Sequence, residues 1–289
     1  MMIRPSRVAA LCGAVVLAAL VALPAQAARV GVLANRFFFE VAADFNAKVP
    51  GHTFTGVDVS ATVPTLSALL SNYDVVLLFE DSTFVNSTAV GDVVAAFANS
   101  GRPVVIGTFY DQDRSDTTPT VDFTPHGWGA LEGIDPNTSD GIGTPYAPRT
   151  LNVPGLVPHP LTAGLTALTS AKYAGGNQAK AGTIVVANWQ EKNARGLPDP
   201  AIAYRLTSLA CVIHVAIAPN YPAIGVAGVD FGGDFYRAWT NATDFAASGC
   251  GTVPHVPTLS AWGLAALTLL VAGLAVAHRR RLRPYRSGR

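Results

Sequence analysis

The chain has 289 residues, of which 49% are hydrophobic and 13% charged, and its formal net charge is +1. The charges are unevenly distributed, because all 19 acidic residues lie within residues 28–250 whereas eight of the 20 basic residues lie in residues 1–27 and 279–289. The acidic body excludes a nucleic-acid-binding protein, since phosphate groups require a basic surface. Its length is sufficient for one domain with a large hydrophobic core.

Residues 1–27 have the composition of a secretory signal peptide. Two arginines precede an apolar stretch over residues 8–23, and Ala-Gln-Ala at residues 25–27 matches the A-x-A pattern of a cleavage site. Cleavage there leaves Ala28 as the first residue of the mature chain. We therefore expect an exported protein whose body lies outside the cytoplasm.

Short β-rich runs alternate with helical patterns in the first part of the body. The predicted elements are strands over 29–34, 53–60, 74–79 and 103–109 and helices over 37–49, 62–71 and 87–100. The continuous apolar run at 74–79 is typical of a parallel strand that is covered on both faces. The alternation predicts an α/β fold, a flavodoxin-like, doubly wound and mostly parallel sheet with right-handed crossovers.

The regular pattern is lost over residues 111–160, which are rich in Gly, Pro, Asp and Thr. This stretch is too long for an ordinary loop, so we expect a long irregular insertion within the domain 28–250. After the insertion, the predicted elements are strands over 183–189, 201–206, 211–218 and 224–231 and a closing helix over 233–247. The later strands could lie antiparallel at one edge of the sheet.

The mature chain contains two cysteines, Cys211 and Cys250, because Cys12 lies in the signal peptide. In an oxidising compartment such a pair most simply forms one disulfide. The alternative is that Cys211, inside the apolar run 210–218, is a buried free thiol.

The C-terminal segment 251–289 has the composition of a linker followed by a membrane anchor. Residues 261–277 carry no charge, and as a helix they span about 25 Å, which is the short end of what crosses a bilayer. The arginine cluster that follows should stay in the cytoplasm. We therefore expect a transmembrane helix over 261–277 that anchors the body in the periplasm.

The tail also resembles the C-terminal sorting domains that exosortase-type membrane proteases process, of the subclass that begins Ile-Pro-Thr-Leu-Ser-x-Trp-Gly. The matching positions are Val256, Pro257, Thr258, Leu259, Ser260, Trp262 and Gly263. The chain departs from the pattern at Val256, which replaces isoleucine, and at Ala261, where an acidic residue is common.

The resemblance implies a Gram-negative envelope protein, cleaved near Pro257 and passed to the cell surface. It also implies an envelope polysaccharide as a partner, since exosortase systems accompany exopolysaccharide production. A plain tail anchor with a chance Pro-Thr-Leu is the alternative.

The body resembles the class I glutamine amidotransferase-like superfamily, and in particular its trehalose-utilisation-like branch. The order of elements carries this resemblance, together with the sequences at 101–107, 159–165 and 237–245. It implies the same flavodoxin-like fold.

Active members of that superfamily carry a nucleophilic cysteine in Gly-x-Cys-x-Gly directly after the fourth strand. Here the corresponding residues 107–111 read Gly-Thr-Phe-Tyr-Asp, so Phe109 replaces the cysteine and Asp111 the second glycine. No His-x-Glu follows near the C-terminal strands. Thr108 could act as a nucleophile only with a base beside it. The resemblance therefore implies a body without amidase chemistry, with a role in surface binding or matrix structure.

A second hypothesis is an extracytoplasmic hydrolase. Glu80 and Asp81 end the third strand and Asp111 follows the fourth, at the edge where open parallel sheets bind ligands. With His126 these carboxylates could perform acid–base catalysis. Acidic residues at strand ends are equally common as helix caps or turn formers.

A bound metal is a third hypothesis. Asp111, Asp113 and Asp116 could hold Ca²⁺, but they lack the glycine and the distal glutamate of a calcium loop. His126 and His159 could ligate a metal, but their spacing is no signature, and His159 before a proline favours a turn. We expect neither a metal nor a cofactor.

Aromatic residues in or beside the insertion have two interpretations. Tyr110, Trp128 and Tyr146 could stack against a sugar, or they could pack the insertion against the domain.

Overall fold

The computed structural model describes residues 27–81, 86–108, 127–139, 147–172, 174–225 and 231–251. The chain divides into two units, Met1–Thr252 and Val253–Arg289, and the second lies outside the described residues. The apolar part of the predicted signal peptide and the predicted helix over 261–277 also lie outside them. Among the helices that are described, none is long and apolar enough to cross a membrane.

The described helices and strands follow one another in an α/β order. They are β1 (Arg29–Ala34), α1 (Phe38–Lys48), β2 (Thr53–Asp58), α2 (Leu66–Asn72), β3 (Val75–Leu78), α3 (Ser87–Asn99), β4 (Val104–Gly107), β5 (Asn137–Ser139), β6 (Arg149–Thr150), β7 (Leu168–Ser170), β8 (Asn177–Ala179), β9 (Ile184–Lys192), β10 (Pro198–Leu206), β11 (Cys211–Val215), α4 (Tyr221–Ile224), β12 (Phe231–Gly233) and α5 (Phe235–Ala247). The described residues between β4 and β7 also form the short 3₁₀ helices Gly129–Gly133, Val153–Gly155 and Pro160–Thr162.

The central sheet has the strand order β2-β1-β3-β4-β11-β10-β9. The first five of these strands pair in parallel, and their order is the 2-1-3-4-5 order of flavodoxin-like folds. β10 and β9 continue the sheet antiparallel at one edge. The prediction of a mostly parallel α/β sheet is confirmed, as is the antiparallel edge. Among the strands predicted after the insertion, β11 is the exception, because it pairs in parallel with β4 and is the fifth parallel strand of the sheet.

Both faces of the parallel strands are covered. The side chains of one face pack with α1 and α5 through Phe45 and Trp239. Those of the other face pack with α2, α3 and the first 3₁₀ helix through Leu69, Phe97 and Leu131. Every residue of β3, β4 and β11 is buried, which explains their continuous apolar sequences.

The insertion is more regular than its sequence indicates. Of the predicted irregular stretch 111–160, residues 127–139 and 147–160 are described, and they contain β5, β6 and 3₁₀ turns. Trp128 is fully buried in the core against α3, so the packing interpretation is confirmed for this residue and sugar stacking is wrong for it. A Cβ on Gly91 of α3 would lie 1.8 Å from the Trp128 carbonyl oxygen, so only glycine permits this contact. Tyr110 and Tyr146 lie outside the described residues.

The strand predicted over 224–231 is wrong at its start, because Ile224 ends the one-turn helix α4. Its last residue, Phe231, begins β12, which pairs with β7, and residues 226–230 lie outside the described residues. Proline at residue 222 fits the first turn of a helix, where its missing N–H is not needed. The apolar residues around it therefore belong to a helical turn.

Cys211 and Cys250 form a disulfide, as predicted, so the free-thiol alternative is wrong. It joins the first residue of β11 to the segment just after α5, with a Cα–Cα distance of 6.0 Å. The two residues are 39 apart in sequence, and closing a loop of that size stabilises the fold by about 4 kcal/mol in the chain-entropy model.

A buried ion pair joins β6 to β10. Arg149 Nε donates to Asp199 Oδ2 at 3.0 Å, and the two side chains are 2% and 0% exposed. The backbone N–H groups of Gly176 and Asn177 donate to the same carboxylate at 2.8 and 3.0 Å. Burial raises the pKa of Asp199 to about 6, although the N–H donors and Arg149 act in the opposite direction. At neutral pH the carboxylate is therefore ionised and depends on its counter-charge.

We expect Arg149→Met to lower the free energy of unfolding by about 3–5 kcal/mol at pH 7.5, because it leaves a buried carboxylate without its counter-charge. The loss should be smaller at pH 5. When the folded-state pKa of a carboxyl is raised above its ordinary value, the free energy of unfolding falls as the pH rises between those two values. Removing Arg149 raises the folded-state pKa of Asp199 further, so more of that free energy is lost at pH 7.5 than at pH 5. Urea unfolding at both pH values measures this. The exposed Arg237→Met is the control, with a change below about 0.5 kcal/mol. An equal loss at both pH values would contradict the prediction.

Candidate functional site

The carboxyl ends of β3, β4 and β11 converge on one point of the sheet. A Cβ on Gly107, the last residue of β4, would lie 3.0 Å from Pro219 Cδ, 3.1 Å from Trp239 Cη2 and 3.4 Å from Phe79 Cβ. Phe79 directly follows β3, and Pro219 lies in the segment after β11. Open parallel sheets bind their ligands at this edge.

The next residue along each of the three segments is polar and buried. These residues are Glu80, Thr108 and Asn220, and each is at most 1% exposed. The Thr108 hydroxyl and both polar atoms of the Asn220 amide have no hydrogen-bond partner among the described residues. Leaving such groups buried and unpaired costs about 1–3 kcal/mol each. Buried polar groups without a partner among the described residues make this edge of the sheet the candidate site.

Further hydrogen bonds connect the loops around this point. Tyr221 Oη donates to Asp81 Oδ1 at 3.0 Å, which links the start of α4 to the end of β3. The Asp81 N–H donates to Asn35 Oδ1 at 3.1 Å, which links the end of β3 to the loop after β1. The Thr108 N–H donates to the Ile217 carbonyl oxygen at 3.1 Å. We call Asn35, Glu80, Asp81, Thr108, Asn220 and Tyr221 the carboxyl-edge cluster.

The loop after β1 contains a strained residue. Phe37 has φ 58° and ψ 15°, in the left-handed region, at the N-cap of α1. A side chain with a Cβ costs about 1–2 kcal/mol there. The Arg36 guanidinium lies 4.5 Å from the centre of the Phe37 ring, a cation–π contact. Backbone strain of this kind is concentrated at binding and catalytic sites, and here it lies two residues from Asn35 of the carboxyl-edge cluster.

The structure brings together some of the residues that the sequence proposes for catalysis. Glu80 and Asp81 lie at the carboxyl edge, as expected, and Thr108 lies beside them. The Thr108 hydroxyl contacts no base among the described residues, so nothing in this part of the chain activates it as a nucleophile. Phe109 at the amidase nucleophile position lies outside the described residues, as do Asp111 and His126.

His159 performs the structural role that its sequence favours. It caps the 3₁₀ turn Pro160–Thr162, where its Nδ1 accepts a hydrogen bond from the Leu161 N–H at 3.2 Å. Its ring packs against Tyr204 and Phe245, with centroids 5.2 and 4.8 Å away, and burial lowers its pKa.

No group of three potential metal ligands is found among the described residues. The predicted acidic cluster of Asp111, Asp113 and Asp116 lies outside them.

Sequence reasoning missed Asn220, Tyr221 and the strained Phe37. Asn220 and Tyr221 follow the apolar run 210–218 after one proline, and a polar residue soon after a buried strand is the signal that could have identified them. No sequence pattern marks Phe37, because phenylalanine rarely adopts positive φ.

The IPTL-CTERM motif model matches residues 256–281. The chain therefore carries a C-terminal sorting signal of the kind found on exported proteins. No curated protein matches the sequence.

Solved structures align with the body at low similarity. A putative ThuA-like protein from Bacteroides uniformis aligns at 12% identity with a TM-score of 0.48, covering 79% of this chain and 95% of that chain. A β-galactosidase from Rahnella sp. R3 aligns at 13% identity with a TM-score of 0.43, covering 75% of this chain and 30% of that chain. This chain thus corresponds to 30% of the length of that β-galactosidase. At TM-scores below 0.5 we assign no function from these similarities.

Two buried asparagines provide a matched test of the carboxyl-edge cluster. We expect Asn220→Leu to leave the free energy of unfolding unchanged or to raise it by about 1 kcal/mol, because it removes a buried amide that has no partner in the described part of the chain. Asn241→Leu should lower it by about 1–3 kcal/mol, because the Asn241 amide donates to the carbonyl oxygens of Leu161 and Ala163 at 3.2 and 2.9 Å. Urea unfolding of the two variants makes the comparison. A loss for Asn220→Leu as large as for Asn241→Leu would contradict the assignment.

Proposed function

We propose that the chain is an exported envelope protein with a non-catalytic, amidotransferase-like body that binds an envelope polysaccharide at the carboxyl-edge cluster. An exosortase-type protease processes its tail near Pro257, which transfers the body from the inner membrane to the cell surface. The observation that carries the binding role is that two buried side chains at the carboxyl edge of the sheet, Thr108 and Asn220, have no hydrogen-bond partner among the described residues.

The chemistry of the cluster favours a neutral, hydroxyl-rich ligand. An amide, an aliphatic hydroxyl and carboxylates together offer both donors and acceptors, which sugar hydroxyls can satisfy in either direction. The six residues of the carboxyl-edge cluster include no lysine or arginine, and Arg36, which follows Asn35, lies against the Phe37 ring. A phosphate would therefore find no strong counter-charge among the six. Thr108 and Asn220 are buried, so the surrounding loops must open for a ligand to reach them.

The absence of an activated nucleophile supports a binding role. The amidase cysteine is replaced by Phe109, and Thr108 has no base in hydrogen-bond contact among the described residues. Acyl transfer requires both a nucleophile and its base. Binding requires only groups that pair with the ligand.

Tail processing is tested by Pro257→Ala in the full chain. We expect wild-type protein to be found without its tail at the cell surface and the Pro257→Ala protein to remain uncleaved in the inner membrane, because the protease reads the short proline motif before the apolar segment. Immunoblots of fractionated envelopes measure both size and location. Pro254→Ala, three residues earlier in the linker, is the matched control and should be processed normally. Normal processing of Pro257→Ala would contradict the proposal.

Polysaccharide binding is tested by two buried threonines. We expect Thr108→Val to weaken binding about tenfold, since losing one hydrogen bond to the ligand costs about 1.4 kcal/mol. Thr243→Val should bind normally, because the equally buried Thr243 hydroxyl donates to the Trp239 carbonyl oxygen within α5. Co-sedimentation of the exported protein with polysaccharide from the producing cells measures the affinity. Failure of the wild-type protein to bind, or unchanged binding by Thr108→Val, would contradict the proposal.

A hydrolase is the second candidate function. The Tyr221 hydroxyl orients the Asp81 carboxylate, and Glu80 lies buried next to it, an arrangement that suits acid–base catalysis. The same polysaccharide samples distinguish the two functions. New reducing ends that appear with wild-type protein, and that Glu80→Gln or Asp111→Ala abolishes, would replace the binding role with hydrolysis.

A further inference from the structure

A second polar group lies at the opposite, amino edge of the sheet. The Ala28 N–H donates to His52 Nδ1 at 3.2 Å, and His52 Nε2 lies 2.8 Å from Asp244 Oδ1. Because Nδ1 accepts a hydrogen bond, Nε2 carries the ring proton and donates a hydrogen bond to Asp244. The His52 side chain is 5% exposed, whereas Asp244 is 60% exposed.

Ala28 is the residue that follows the predicted A-x-A cleavage site. It is buried, and its carbonyl oxygen accepts a hydrogen bond from the Thr53 N–H at 3.0 Å. Ala27, in contrast, is exposed. Ala28 is thus the first buried residue of the described part of the chain, and it is the residue that cleavage would make the N-terminus.

Cleavage changes the chemistry of the donor. In the precursor, Ala28 offers one neutral amide N–H to His52. In the mature chain, the same nitrogen becomes an ammonium with three donors and a positive charge near neutral pH. Hydrogen bonds with a charged donor are about twice as strong as neutral ones. The His52 ring then lies between an ammonium and the Asp244 carboxylate and hydrogen bonds to both.

We propose that His52 and Asp244 form a binding site for the α-ammonium group that cleavage between Ala27 and Ala28 creates. The site joins the first residue of the mature chain to the start of β2 and to the last turns of α5. Processing therefore stabilises the exported form of the body relative to its precursor. This inference depends on the proposed export and is independent of the carboxyl-edge cluster.

The first measurement is the N-terminus of the exported protein. The full chain, produced with its own leader in a Gram-negative host and recovered from the envelope, should give an N-terminal peptide that begins at Ala28 with a free amine. A different N-terminus on exported protein would overturn this inference and leave the proposed function intact. An intact Met1 on cytosolic protein would instead contradict export itself.

The second measurement is the effect of blocking the amine. Acetylation near neutral pH favours the α-amine over lysine side chains, because its pKa is lower. We expect acetylation to lower the Tm of the processed protein by at least about 2 °C, and Asp244→Asn to reduce that drop by half or more.

The controls separate an ammonium site from an ordinary structural contact. Asp244 is largely exposed, so Asp244→Asn should fold, and the exposed Glu40→Gln is the matched control that should keep the full acetylation effect. His52→Phe should lose the effect entirely. No change in Tm on acetylation, or a drop of equal size in wild type and Asp244→Asn, would overturn the proposal.

Discussion

Burial of the parallel sheet on both faces determines where this chain can place polar groups. Inside such a sheet each polar side chain needs a partner, since an unpaired buried group costs about 1–3 kcal/mol. The interior follows this rule at Asp199, which has Arg149 and two N–H donors, and at His214 of β11, whose Nδ1 lies 2.7 Å from Asn137 Nδ2. Thr108 and Asn220 have no hydrogen-bond partner among the described residues and depart from it, as do the Asn177 Oδ1, Gln178 Oε1 and Trp189 Nε1 atoms on β8 and β9. Thr108 and Asn220 differ from these in lying at the edge where open parallel sheets bind ligands.

The two edges of the sheet have different roles. The amino edge holds stabilising contacts. These are the Cys211–Cys250 disulfide, the Ala28–His52–Asp244 group, and the pairs that Asp74, just before β3, makes with Arg29 of β1 and with Arg102 before β4. Hydrogen bonds from Arg29 lower the pKa of Asp74, so this carboxylate stays ionised in mildly acidic conditions. The carboxyl edge holds the strained Phe37 and the unpaired side chains. Because Cys250 lies at the amino edge, the body ends at the edge opposite the candidate site.

The sequence predicts what depends on local pattern. β1 has the predicted bounds, and the helix expected over 87–100 is observed as Ser87–Asn99, because apolar spacing and the Asn86 cap are local features. The pairing of β11 with β4 could not be predicted, because it depends on contact across more than 100 residues of chain. For the same reason the sequence predicted only some residues of the carboxyl-edge cluster. Glu80 and Asp81 follow a recognisable strand, whereas Asn220 joins them only through the long crossover.

The two edges contribute to stability in opposite directions. At the carboxyl edge, Thr108 and Asn220 have no hydrogen-bond partner among the described residues, and Phe37 is strained, so these groups lower the stability of the free protein. At the amino edge, the disulfide contributes about 4 kcal/mol in the chain-entropy model. In the proposed binding role, a ligand that pairs with Thr108 and Asn220 would recover on binding the free energy that their burial costs.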